Sequence, residues 1–389
     1  MKIIKLAKIA QVSAGQGAPQ GDNNFGIEGI PFIKAGNLED LIITNDEYKT
    51  CKLVNKTVAQ EYKLKLHPKG TLVFAKSGMS AAKSRVYCLN NEAYVVNHLA
   101  TVLSDTAMVS PQFLKYYFIA IPPSRLIKDE SYPSISLSDI NNIEIQLPSL
   151  EEQKCIVREL DAADALRQKR KQAITLLDDY LKAVFLEMFG NPVENPKGWA
   201  VKKLSDVCIK ITDGTHFSPP IVETGVPYIT AKHLKKTGLE FFDNPTYISQ
   251  DEHNKIYSRC RPEKGDVLYI KDGATTGIAA INKYDFEFSM LSSLALLKPD
   301  NELIINHFLC YWLNNSQVKE YLLQQMAGVA IQRFTLTKIN NFKILLPPID
   351  LQIKFSKIVV KADKIIQSSL KQSDELETNF NALMQRFFS

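Results

Sequence analysis

Apolar positions along this chain follow two rhythms. From Ile156 they alternate by four and three residues through Leu160, Ala163, Ile174, Leu177, Leu181, Val184 and Met188, with Arg167 and Arg170 standing inside the stripe. The rhythm returns as Phe355, Val359, Ala362, Ile366, Leu376, Phe380, Leu383 and Phe387, interrupted by Ser369 and Ser373. A 3.5-residue repeat predicts a helix whose narrow apolar stripe is buried only against another helix of the same kind. Both stretches lack glycine and proline, and roughly 38 residues rising 1.5 Å each reach about 57 Å, further than a domain of about 150 residues. Elsewhere short β-rich runs are broken by glycine and proline, which predicts strand-rich globular domains.

These features occur twice, because residues 1–189 and 197–389 follow one plan. Lys5-Leu6-Ala7-Lys8-Ile9 returns as Lys203-Leu204-Ser205-Asp206-Val207, and Gly29-Ile30-Pro31-Phe32-Ile33 as Gly225-Val226-Pro227-Tyr228-Ile229. The run from Lys69 to Gly78, a turn, a strand and a polar glycine loop, answers that from Lys264 to Gly273. Leu137-Ser138-Asp139-Ile140-Asn141-Asn142 answers Leu336-Thr337-Lys338-Ile339-Asn340-Asn341, and Leu147-Pro148 answers Leu346-Pro347. Each copy therefore reads as a globular domain followed by a long helix.

The first helix opens at Pro148-Ser149-Leu150-Glu151-Glu152, a capping serine with acids in the first turn, and Gly190-Asn191-Pro192 stops it. Packing the two helices antiparallel relates the copies by approximate two-fold symmetry. The expected fold class is α+β: two pseudo-repeated strand-rich α/β globular domains joined by two long helices forming an antiparallel coiled-coil spacer. Arg167 and Arg170 are expected either to bond across the seam or to face a partner.

Composition narrows the class without naming a function. The 389 residues have ordinary apolar and charged fractions for a globular protein, and no run approaches the ~20 apolar residues of a membrane helix. The opening Met1-Lys2-Ile3-Ile4-Lys5 lacks the apolar stretch of a secretion signal, so a cytoplasmic location is expected. Six widely spaced cysteines form no C-x-x-C pair and are read as reduced thiols. A net charge of +5 is compatible with a polyanionic partner but does not announce one.

Two-fold proteins read DNA half-sites spaced by about 34–36 Å, one helical turn, and a helical pair suits such a ruler. Two domains that share a plan but differ in side chains suit an asymmetric site. The arrangement resembles the specificity subunit of type I restriction-modification systems over essentially the whole chain. The residues that carry the resemblance most specifically are the run from Leu147 to Val157 and Ile211-Thr212-Asp213-Gly214-Thr215-His216. The second helix departs from the pattern, entering through Leu346-Pro347-Pro348-Ile349-Asp350-Leu351-Gln352 without the double glutamate. The first domain has Val12-Ser13-Ala14-Gly15 where Asp-Gly-Thr-His is expected. The resemblance implies target-recognition domains at 1–149 and 190–348, the latter with its linker, and helical spacers at 150–189 and 349–389.

Reading bases takes paired donors and acceptors, and holding phosphates takes cations or backbone amides in tight loops. Lys76-Ser77-Gly78 and Lys271-Asp272-Gly273-Ala274-Thr275-Thr276-Gly277 supply both kinds at equivalent places. The candidate DNA-binding residues are Lys76, Ser77, Lys83 and Arg85 in the first copy. In the second they are Thr215, His216, Lys232, His233, Lys271, Asp272, Thr275 and Thr276.

No catalytic or metal site is expected. The three Pro-Pro pairs have the wrong neighbours for an adenine or N4-cytosine methyltransferase, no G-x-x-x-x-G-K-[ST] loop is present, and Phe25-Gly26-Ile27-Glu28-Gly29 does not follow a hydrophobic strand. The resemblance implies that S-adenosylmethionine, ATP and magnesium bind partner subunits and that this chain carries no cofactor. It also implies the partners: double-stranded DNA, two modification (methyltransferase) subunits and restriction (translocase/nuclease) subunits, with no membrane. The alternatives are a non-enzymatic coiled-coil scaffold with two ligand-binding domains, and a stand-alone enzyme with an unrecognised site.

Overall fold

A computed structural model describes residues 2–235, 237–324 and 333–388. The chain divides into two compact units, Met1–Lys171 with Lys371–Ser389, and Gln172–Leu370.

In the first unit an antiparallel sheet runs in the order Ala10–Ala14, Leu99–Ser104, Leu72–Ala75, Val86–Cys88. Leu72–Ala75 is a continuous apolar run because it is buried along its whole length as an inner strand. Ile30–Ile33 pairs antiparallel with Leu53–Val54 and parallel with Tyr94–Val95. Lys2–Lys5 pairs with Glu144–Leu147, so the first strand of the copy lies on the one that leads into its long helix.

The second unit repeats this frame. Its main sheet runs Cys208–Asp213, Leu294–Pro299, Val267–Ile270, Ala279–Ile281. Val226–Ile229 pairs antiparallel with Tyr247–Ile248 and parallel with Ser289–Met290. Ala200–Lys203 pairs with Lys343–Leu346, as the corresponding strands do in the first copy.

The central helix spans Leu150–Phe189 and the C-terminal helix Ile349–Phe388. Ser149 and Glu152 cap the first reciprocally: the Ser149 amide donates to Glu152 Oε2 at 2.9 Å and the Glu152 amide to Ser149 Oγ at 3.3 Å. Gly190, at φ 79°, ends it and donates to Leu186 O.

In the first unit Ile156 and Leu160 share a core with Phe380 and Met384 and with Phe74, Phe113 and Phe118 of the domain. In the second, Leu181, Phe185 and Phe189 share a core with Phe355, Val359 and Ala362 and with Phe308 and Trp312. The start of one helix meets the end of the other in the first unit, and the reverse holds in the second, so the pairing is antiparallel. Every stripe position of either helix, the two arginines and two serines included, is at least half-buried. The fold is the expected α+β one, with two strand-rich repeats and an antiparallel pair of long helices. No helix among the described residues is long and apolar enough to cross a membrane.

Candidate nucleic-acid interface

Where the main sheets run into the loops, the strand registers of the two copies correspond. Ala14 faces Ala100 and Asp213 faces Ala295, while Phe74 and Tyr269 face those same alanines from the other side. Ala14 therefore occupies the place of Asp213, Gly15 that of Gly214, and Lys76 that of Lys271. The Asp-Gly-Thr-His position in the first copy is thus Ala14-Gly15-Gln16-Gly17, two residues beyond the Val12–Gly15 read from sequence. Both glycines are packed too tightly for a side chain: a Cβ on Gly15 would lie 2.0 Å from Val95 O, and one on Gly214 1.8 Å from Met290 O.

The glycine loops are pinned in the same way. In the first unit Lys76 donates its amide to His98 O at 2.9 Å and accepts from the Ile135 amide at 2.8 Å. In the second, Lys271 donates to Ser293 O at 2.9 Å and accepts from the Phe334 amide at 2.7 Å. Bridges between Ser77 and Ser134 and between Asp272 and Arg333 extend the correspondence. A repeated backbone frame thus carries different side chains.

Those side chains fall into exposed and enclosed sets. In the first unit Lys76 is half-buried, with no hydrogen bond or ion pair at its ammonium among the described residues. Ser77 Oγ lies 2.9 Å from His98 Nδ1, Lys83 is exposed, and Arg85 is paired with Glu39. In the second unit His216 and Thr275 are exposed, and Lys232 is exposed with its ammonium donating to Asn244 Oδ1 at 3.1 Å. Asp272 lies 3.5 Å from Arg333 Nε.

His233 is enclosed. Its Nδ1 accepts from the Thr230 amide at 2.9 Å, so the proton sits on Nε2 and is donated to Asn244 O at 2.9 Å, leaving neither nitrogen for a ligand. Burial pushes its pKa down, which keeps the ring neutral. Thr276, also enclosed, turns its hydroxyl to Gly273 O at 2.7 Å. Thr215 is enclosed too and accepts from the Phe217 amide at 3.3 Å.

Lys271 and Asp213 are each only 2% exposed, with Lys271 Nζ 3.3 Å from Asp213 Oδ2. The other carboxylate oxygen, Oδ1, accepts from Arg259 Nη2 at 2.7 Å and lies 3.4 Å from His216 Nε2. One buried carboxylate therefore gathers two side chains from the candidate set and an arginine 46 positions away in sequence. Beside it is a cleft of about 230 Å³ lined by Thr215, His216, Phe217, Lys255 and Arg259, among others.

The known family that matches this chain is the type I restriction modification DNA specificity domain, which fits residues 1–176 and again residues 196–378. The chain belongs to that family. It is similar to the type I restriction enzyme MjaIX specificity subunit of Methanocaldococcus jannaschii, at 24% identity over 98% of this chain and 91% of that protein. It is also similar to the StySPI specificity subunit of Salmonella potsdam, at 22% identity over 92% and 80%. In fold it matches the crystal structure of a type I restriction-modification S subunit from M. genitalium, with a TM-score of 0.63 at 15% identity over 100% of this chain and 96% of that one. A second match comes from a structure addressing complex assembly and conformational transition of the type I R-M system, with a TM-score of 0.54 at 19% identity over 100% and 97%.

In this specificity-family chain the sequence pointed to both glycine loops and to the Asp213–His216 turn, but not to Arg259, Lys255 or Arg333. Local pattern holds no signal for these, since only tertiary packing brings them to the site. Among the described residues no group of three or more His, Cys, Asp or Glu is placed to hold a metal ion.

Proposed function

We propose that this chain is the DNA sequence-specificity subunit of a type I restriction-modification complex, recognising a bipartite, asymmetric site and directing methyltransferase and restriction subunits to it. Residues 1–149 and 190–348 act as the two target-recognition domains, and residues 150–189 and 349–389 as spacers on which two modification subunits dock. The observation that carries the reading is the repeated frame: two copies with matching register at the loops and one loop anchoring, each with different polar side chains. Two half-sites of different sequence require such a pair.

Lys76, Ser77, Lys83 and Arg85 face one half-site. His216, Lys232, Asp272 and Thr275 face the other, while Thr215, His233, Lys271 and Thr276 shape its loops from inside. The chain itself is non-catalytic; S-adenosylmethionine, ATP and magnesium belong to the partner subunits.

The test is single-molecule sequencing of DNA from cells expressing the chain with its modification subunit, scored for methylated adenines. The expected result is a two-part motif, one half of which changes when residues 190–348 are exchanged for those of a relative. Intact assembly with no new methylation and no salt-sensitive DNA binding would overturn the reading and favour a scaffold.

A further inference from the structure

The two copies place different charges around the lysine that opens the glycine loop. In the second unit Lys271 is buried against Asp213, and a buried carboxylate needs a cation of this kind to stay charged. Asp213 nevertheless holds a second cation, Arg259, which is 56% exposed and lines the cleft together with His216 and Phe217. Lys271 alone balances the carboxylate, so the arginine is surplus positive charge at the surface. Its backbone is fixed as well, because Lys210 Nζ donates to Arg259 O at 2.9 Å. A guanidinium is a rigid plane with five donors. Gripping Nη2 from inside sets the direction of the rest, and Asp213 is the only ion-pair partner of Arg259 among the described residues.

The first unit lacks this device. Ala14 stands where Asp213 would be and its methyl group cannot hold a cation, while Lys76 keeps an ammonium without a partner among the described residues.

We propose that the cation meeting a DNA phosphodiester has been exchanged between the copies: Lys76 in the first unit and Arg259 in the second, where Asp213 positions Arg259 and Lys271 serves as internal counter-ion. This rests on the DNA-reading function above and names which residues carry it.

The experiment measures the affinity of the full-length chain for a mixed-sequence DNA duplex as salt is varied, with thermal unfolding of each variant alongside. Arg259→Ala is expected to weaken binding roughly tenfold and to lower the salt slope by about one, as loss of one phosphate contact does. Asp213→Asn is expected to weaken binding and to add little on top of Arg259→Ala, since a positioning residue acts through the group it positions. Lys271→Met is expected to lower thermal stability, because Asp213 loses its internal counter-ion, and a second change, Asp213→Asn, to restore that stability.

In the first unit Lys76→Ala is expected to lower the slope with the melting temperature unchanged. Ala14→Asp is expected to capture Lys76 and lower the slope similarly; if that variant does not fold, Lys76→Ala still decides. A slope lowered by Lys271→Met and untouched by Arg259→Ala would overturn the exchange. A loss on Arg259→Ala confined to particular sequences, with the slope unchanged, would overturn the phosphodiester assignment. Absence of salt-sensitive binding by the unmodified chain would instead sink the DNA-reading function itself.

Discussion

Arg167 on the central helix grips Glu377 on the C-terminal helix, with Nε 3.1 Å from one carboxylate oxygen and Nη2 2.7 Å from each. Its remaining terminal nitrogen donates to Asp164 at 2.9 Å, and the guanidinium carbon lies 4.1 Å from the Phe380 ring centroid. The side chain is 13% exposed. Of the two roles open for this arginine, bonding across the seam is the one the structure shows. Arg167→Ala is expected to lower stability by about 1–3 kcal/mol, since it removes a forked ion pair and leaves Glu377 without that partner. Replacing both residues by leucine is expected to fall within about 1 kcal/mol of the unmodified chain, because apolar packing often replaces an ion pair at little cost. Urea denaturation of the three proteins checks both outcomes.

A second pair of residues shows what the copies share at the helix starts. Gln153 accepts from the Ser110 amide at 2.9 Å and donates to Met108 O and Pro148 O at 3.1 and 3.0 Å. Gln352 accepts from the Ile305 amide at 2.9 Å and donates to Leu303 O and Pro347 O at 3.2 and 2.8 Å. Both are fully buried. Each ties its helix start to a loop of its own domain. Gln153→Leu or Gln352→Leu is expected to cost about 2–4 kcal/mol, because a buried amide and two carbonyls lose this partner. Thermal unfolding measures the loss, and a cost below about 1 kcal/mol for either variant would refute the assignment.

Much of this architecture was legible in the sequence, because a 3.5-residue stripe and an ordered set of repeated turns survive large changes in side chain. The duplicated frame and the antiparallel helices followed from those patterns. The site was legible only as loops. Glu151-Glu152 marks the first helix start alone, whereas the residue common to both starts is a glutamine, two of whose three partners lie more than forty positions away. Arg167 and Glu377 are 210 positions apart, and Arg259 reaches Asp213 only once the sheet has formed. Those pairings depend on three-dimensional register, which local spacing does not encode.

The crowded glycines give a further check on that register. Neither Gly15 nor Gly214 has the left-handed backbone that usually explains a glycine; each is held by close approach of the neighbouring backbone. Gly15→Ala and Gly214→Ala are each expected to destabilise the chain by more than about 3 kcal/mol, because a backbone carbonyl cannot rotate away as a side chain can. At Gly17, where nothing lies within 4 Å of an added Cβ, alanine is expected to be tolerated within about 0.5 kcal/mol. Denaturant midpoints separate the two cases.

The buried histidines set an acid limit. His67 is 3% exposed with its Nε2 unpartnered, and burial, helped by the charge of Lys65, pushes its pKa down to about 4. Burial also lowers His233 and His307. Above about pH 6.5 both folded and unfolded chains hold these rings neutral, so their contribution to stability is fully present. As the pH falls from about 6.5 towards 4, the unfolded chain takes up protons that the folded one refuses, and the contribution is lost. Asp266 and Asp363, whose pKa values burial raises, act in the opposite direction near the carboxylate range. The His67 contribution is therefore read as a difference between two proteins. Between pH 7 and pH 5 the unmodified chain is expected to lose about 2 kcal/mol more stability than His67→Phe, which has no ring to protonate. Urea denaturation at the two pH values measures that difference, and parallel profiles would show that the His67 ring is protonated as readily in the folded chain as in the unfolded one.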